Sequence, residues 1–260
     1  MNSLITKPGV HVLILLGAIA SFVFFQFFYP YHLFYQEQNQ LFLFSWDYIT
    51  TYLDKPGWLA CLTGDFLTQF YYYRYAGPTI LTLSILMAGY NVRCGVEDAD
   101  IKGTWIPYTI AIAVMTMLVC FSLHYDYRLS SMIAVGGGAN VFRFSTKILV
   151  STRMSIKKLE NQALRHTSID GTRLPQWITA VSIFISMLVC HWFFGCGMWI
   201  YAALVLLGCI KYINKPGNYT RLAAITIPLF IIMLDKRLYF IDFHTLYTYP
   251  GLGLSLIHIS

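Results

Sequence analysis

"VHVLILLGAIASFVFFQFFYPYHLFYQEQNQLFLF", residues 10–44, joins an uncharged apolar run, Val10 to Phe28, to consecutive polar side chains, Gln36 to Gln40. A bilayer core about 30 Å thick takes about 20 apolar residues per helix, because lipid leaves every backbone N–H and C=O to be satisfied within the segment. The run therefore reads as a membrane-spanning helix, and the polar cluster as the chain leaving the bilayer. The leader MNSLITKPG carries a single lysine, Lys7, and the run continues into bulky VFFQFFYP with no small-residue cleavage site. A retained helix is expected, not a cleaved signal peptide.

Composition agrees. Of 260 residues, 57% are hydrophobic, 17% aromatic and only 12% charged, with a mean hydropathy of +0.58. These values lie outside the range of soluble globular domains. The expected fold is all-α, a polytopic transmembrane helical bundle of about seven spans. They are placed near residues 10–28, 76–92, 104–123, 129–144, 177–194, 198–210 and 222–234 of a domain covering residues 1–253. The fifth and sixth are separated only by Gly195-Cys196-Gly197, which suits a tight helical hairpin, a single long helix being the alternative.

Orientation follows from Lys and Arg in short loops. With the N-terminus inside, 13 of the 18 basic residues fall on the cytoplasmic side, the largest contribution coming from the basic loop 145–176. The net charge of +6 then reflects topology and contact with anionic lipid, and no nucleic-acid partner is expected. The expected location is a bacterial inner membrane, multi-pass, with the N-terminus in the cytoplasm.

Few motifs carry chemistry. Six cysteines show no C-x-x-C spacing, and the histidines form no ligand pattern, so no metal site is assigned and no spacing supports a divalent cation. "KPG" recurs at 7–9, 55–57 and 215–217 and reads as punctuation before helices. Gly136 to Gly138 lack the G-K-[ST] ending of a phosphate loop and read as a kinked or close-packed helix.

Residues 29–75 form a long first outer loop, rich in aromatic residues and carrying Glu37, Asp47, Asp54 and Asp65 against Lys55 and Arg74. Within it, "WLACLTGDFLTQFYYY", residues 58–73, repeats Leu59, Leu62, Phe66 and Phe70 at helical spacing with Asp65 and Gln69 on another face. That pattern predicts an amphipathic helix lying flat on the membrane, with Asp47, Asp54 and Asp65 at headgroup level or at helix starts.

The stretches "HLFYQEQNQLFLFSWDY" and "KPGWLACLTGDFLTQFYYY", with the layout of the first helix, resemble a family of Bacteroidota inner-membrane proteins of unassigned function, over most of residues 10–253. A long first outer loop with an acidic residue shortly after helix 1 is more remotely similar to the GT-C superfamily of glycosyltransferases, which use lipid-linked sugars. That resemblance implies a polyprenyl-phosphate-linked sugar as partner, besides the bilayer, and a carboxylate acting as base. Glu37 is the candidate base. His32, Gln36, Gln38, Gln40, Arg74 and Arg128 are candidate substrate-binding residues, the two arginines for the departing phosphate and the amides for sugar hydroxyls. This sequence lacks the adjacent pair of acidic residues that many members carry in this loop.

Two alternatives stand beside it. A non-catalytic membrane scaffold or envelope-assembly partner would need the polar cluster only as a solvated turn. Transport has less support, because the spans hold almost no ionisable residues at mid-membrane depth. At the other end of the chain, "LSLIHI", Leu254 to Ile259, is the translation of a transposase mosaic-end adaptor, so residues 254–260 are expected to be a sequencing artefact of a truncated chain.

Overall fold

The computed structural model describes residues 8–39, 42–53, 55–99, 105–124, 127–163, 176–211 and 225–234. Gln40, Asp54, the end of the basic loop, the third KPG and residues 235–260 lie outside this set. Among the described residues the chain is all-α. Its helices are α1 (Pro8–Val23), α2 (Pro30–Asn39), α3 (Trp46–Leu53), α4 (Trp58–Thr68), α5 (Ala76–Asp98), α6 (Ile106–Phe121), α7 (Leu129–Ala163), α8 (Gln176–Phe194) and α9 (Gly197–Lys211). A tenth, α10, spans Ile225–Leu234.

Helix α1 runs on into a π-helical turn, Phe24–Phe28. The chain then bends by 75° into α2. Pro30 accounts for the break, since it has no N–H to donate back to the preceding turn but is well suited to the start of a new helix. By length and composition, α5 can cross a membrane, and α1 with α2 passes the same test as a bent pair. Helices α6, α8, α9 and α10 are apolar but shorter.

Helices α5 and α7 form the centre. The triple glycine lies within α7, one continuous helix, and packs it. A Cβ on Gly136 would lie 3.4 Å from Ala88 Cα, one on Gly137 2.1 Å from Phe194 Cδ1, and one on Gly138 2.1 Å from the Gly197 carbonyl oxygen. Three sides of one helical turn thus meet the α5 backbone, the Phe194 ring of α8 and the α9 backbone, an approach that small residues permit. Beyond Gly138 the sequence has no glycine or proline until Gly171, and α7 continues to Ala163. Residues 145–163 are therefore helix, where the sequence was read as loop. The core joins Val92, Val96, Phe142, Met187, Met198 and Tyr201.

The "GCG" turn is a hairpin, with Gly195 at φ 52°. Tyr201 Oη meets Ser145 Oγ at 3.1 Å, tying α9 back to α7, and it also bonds Ser186 of α8.

Helices α3 and α4 make a second hairpin, and it differs from the flat amphipathic helix expected. The face of α4 turned into the protein carries Ala60, Cys61, Gly64, Asp65 and Thr68, all buried, while Leu59, Leu62 and Phe66 are half-buried and Phe70 is exposed. A Cβ on Gly64 would lie 2.7 Å from Ser130 Cα. Hydropathy assigned the contact face to the large apolar residues, but small side chains let two helix backbones approach, and dispersion over that close contact decides the packing.

The two hairpins meet at their tips. Gly57, at φ 73°, donates its N–H to the carbonyl oxygens of His191 at 3.1 Å and Trp192 at 2.9 Å. These belong to the last turn of α8, and the His191 carbonyl also accepts the Gly195 N–H at 2.8 Å. Trp58 packs on Phe193 with ring centroids 5.5 Å apart. The second KPG is thus a docking contact as well as punctuation. Gly64→Ala is expected to lever α4 off α7, at about 1–3 kcal/mol of overpacking, and to make the 53–58 turn cleavable by protease in the folded protein; an unchanged digestion pattern would contradict this packing.

Candidate functional site

The polar cluster after α1 divides by helix face. His32 and Gln36, one turn apart on α2, are buried. The Gln36 amide donates to the Tyr127 carbonyl at 2.8 Å and sits 3.2 Å from His32 Nε2. His32 also packs on Tyr29, with centroids 5.0 Å apart. These two side chains hold α2 against the loop between α6 and α7, so their polar atoms face protein. Glu37 lies half-buried at the rim, and Gln38 is exposed. Arg74 is exposed, its guanidinium 5.5 Å from the Tyr75 ring centroid.

Burial pulls the His32 pKa down from its ordinary value, opposed by hydrogen bonding to the Ser122 backbone. Folding therefore favours the neutral ring. The stability it contributes is complete above about pH 6.5, its unfolded value, and is lost as pH falls towards the lower folded value. The protection of α2 amides against hydrogen exchange, each rate divided by the intrinsic rate at its own pH, is expected to fall on acidification from pH 7 to pH 5, and His32→Asn to flatten that response.

The buried carboxylate of the cap is Asp65, not Glu37. Asp65 is 8% exposed, on the inward face of α4. Its Oδ2 accepts a hydrogen bond from Tyr52 Oη at 2.7 Å, and Tyr52 Oη is 2.8 Å from Tyr48 Oη. The two tyrosines stand one turn apart on α3, so the hairpin itself brings phenol and carboxylate together. Ser45 fixes the start of α3 by accepting the Tyr48 N–H at 3.3 Å, with Asp47 in the first turn.

Burial raises the Asp65 pKa above the ordinary carboxylate value, opposed by the Tyr52 hydrogen bond and by the positive charges of Arg128 and Lys55. Burial also pushes the Tyr52 phenol up, with further upward contributions from Tyr48 and Asp65. The pair therefore keeps its proton on the phenol, and the carboxylate is a stronger base than one in water. An aromatic wall adjoins it: Phe42 lies 5.7 Å from Phe66 and 5.6 Å from Tyr48, and Phe66 lies 5.4 Å from Phe70. Chemically, the arrangement is a desolvated base with two nearby cations and flat apolar surface beside it. Among the described residues, no group of three or more His, Cys, Asp or Glu side chains is placed to hold a metal ion.

Of the candidate site residues named from sequence, Arg128 is the one among the described residues that acts on this carboxylate. Asp65 was read as a headgroup-level or capping residue, and Tyr48 and Tyr52 were passed over. The signal that would have found them is the small-residue series Ala60, Gly64 and Thr68 at four-residue spacing, which marks the packed face and puts Asp65 beside it.

No curated protein and no solved structure matches the chain. The Family of unknown function (DUF6057) matches residues 5–259, nearly the whole sequence, and the chain belongs to that family.

Proposed function

We propose that the protein is a polytopic inner-membrane protein, N-terminus inside, whose outer cap of α2, α3 and α4 carries an acid–base site at Asp65 for transferring a sugar from a lipid-linked donor. The membrane reading is supported by the exposed faces of several helices, which display Leu15, Leu16 and Ile19 on α1, Leu83 and Met87 on α5, Ile185 on α8, and Leu229, Phe230 and Met233 on α10. A water-soluble monomer rarely exposes so much contiguous apolar surface. The ion pairs Arg93–Glu97 and Arg143–Asp98 sit together at one end of α5, the end assigned to the cytoplasm.

With that orientation, the α3–α4 hairpin dips from the outer side along the first half of α7. The α8–α9 hairpin rises to meet it, with Gly197 packed against Ala134 and Gly138. Neither hairpin then needs to cross alone, and Pro56, Gly57 and Gly195 at their tips are buried in protein, the condition under which lipid tolerates non-helical backbone.

The observation that carries the catalytic part is the buried Asp65–Tyr52 pair beside Arg128 and Lys55. A general base must lose its hydration and sit where a substrate hydroxyl can reach it, and nearby cations suit a departing phosphate. Glu37 keeps the solvated rim position that such a base would give up. The test compares Asp65→Asn and Glu37→Gln in the full-length protein, reading radiolabelled sugar incorporation into envelope glycan by membrane vesicles. Loss in the first with retention in the second is expected. Full incorporation by an Asp65→Asn protein present at normal level would overturn the catalytic assignment and favour a scaffold.

A further inference from the structure

Helices α1, α5 and α6 enclose a cavity of about 130 Å³, on the side of α5 reached by α1. Its floor is Thr82 and Ile85 of α5, both buried. Gly17 of α1 and Thr116 of α6 line it and are exposed, so its mouth lies between those two helices. A Cβ on Gly17 would meet nothing within 4 Å. Most of the lining is aliphatic, and Met115 closes the α6 side.

Two hydroxyls in this wall are unlike their neighbours. Thr79 and Thr116 donate back to the carbonyls of Tyr75 at 2.7 Å and Ile112 at 2.9 Å, the usual recourse of threonine in a helix. Thr82 Oγ1 and Ser21 Oγ line the same cavity buried and without a hydrogen-bond partner. A buried hydroxyl left unmatched is costly, so an occupant offering an acceptor oxygen fits better than empty space. Water is a poor candidate: it needs two to four polar partners, and cavities of roughly 150 Å³ lined by aliphatic groups stay dry and take apolar guests.

We propose that the cavity seats the first segment of a bilayer-lipid acyl chain, which enters sideways between α1 and α6 with its ester carbonyl accepting from Thr82 and Ser21. The apolar faces that flank the mouth, with Leu16 on α1 and Met117 on α6 exposed, put it in contact with lipid. This site rests on the membrane reading above and is independent of Asp65. Bound there, the chain would brace α1 against α5 and α6.

The test reconstitutes the full-length protein in phosphatidylethanolamine and phosphatidylglycerol vesicles doped with a phosphatidylethanolamine bearing a diazirine near the carboxyl end of one acyl chain. After irradiation, adducts are mapped by peptide mass spectrometry. The expected result is concentration of adducts on cavity-lining peptides of α1, α5 and α6, at least tenfold fewer in Gly17→Phe, and loss in Thr82→Val of the preference for the ester-linked over the ether-linked probe. Gly17→Leu serves as the smaller plug if Gly17→Phe does not accumulate. Adducts spread evenly over all lipid-facing helices, or labelling indifferent to both plugs or to the ester oxygen, would overturn the site. Sedimentation of the protein with membranes is scored separately, so failure of the membrane reading is distinguishable from failure of the cavity.

Discussion

Gly138→Ala is expected to be the most destabilising single-methyl substitution in the bundle. The new Cβ would sit 2.1 Å from the Gly197 carbonyl oxygen and 2.7 Å from its carbon. Both are backbone atoms at the mouth of a tight turn, so no side chain can rotate away, and α7 and the α8–α9 hairpin must separate. Overpacking of this kind costs on the order of 3 kcal/mol. For a chain of this size, that lowers Tm by roughly 6–12 °C. Thermal unfolding of the detergent-solubilised protein, followed by size-exclusion fluorescence, reads the shift. Gly17→Ala is the matched control, because its methyl enters open space, and no loss is expected. Equal behaviour of the two variants would contradict the packing of α7 against α9.

Asp65→Asn is expected to have the largest effect on activity, a loss on the order of 10²-fold or more, the usual contribution of a positioned base. Stability should move differently. Because burial raises the Asp65 pKa in the folded state, the stability linked to its neutral form is complete below about pH 4, the unfolded value. It is lost as pH rises through the raised folded value. Asparagine keeps an acceptor oxygen for Tyr52 and carries no charge. The variant should therefore gain stability relative to the parent between pH 4 and pH 7, while losing transfer at every pH. An activity loss accompanied by collapse of stability at pH 7 would mark Asp65 as structural only.

Much of the helical layout was legible because apolar runs are long and unambiguous. The run Val10 to Phe28 covers α1 from its third residue and the π-helical turn that follows, the span at 76 opens where α5 does, and Gly195 to Gly197 turn α8 into α9. What hydropathy could not supply was which face of each helix is inside. In α4 the buried positions are small or acidic, Gly64 against α7 and Asp65 against Tyr52 of α3, while the large apolar residues are half-buried or exposed, the reverse of a helix in water, so a pattern tuned to large apolar residues chose the wrong side. Likewise, Arg143 and the lysines beyond it ended the fourth predicted span, although charge at that point does not interrupt helical backbone and α7 continues. The candidate site was missed for the same reason: Glu37 was chosen for its nearness to helix 1 along the chain, whereas Asp65 meets Tyr52 only through the turn between α3 and α4.

The proposed placement of the cap on the outer face, with Asp65 buried beside Tyr52 yet reached from that face, is tested most directly by reaction of single cysteines with a membrane-impermeant maleimide. Gln38→Cys and Asp65→Cys are compared in a cysteine-free background, in intact cells with a permeabilised outer membrane and in inverted inner-membrane vesicles. Position 38, exposed on α2, should label in the cells and not in the vesicles, and position 65, 8% exposed, from the same side but far more slowly. Labelling of either position in the inverted vesicles alone, or labelling of position 65 as fast as position 38, would contradict the account.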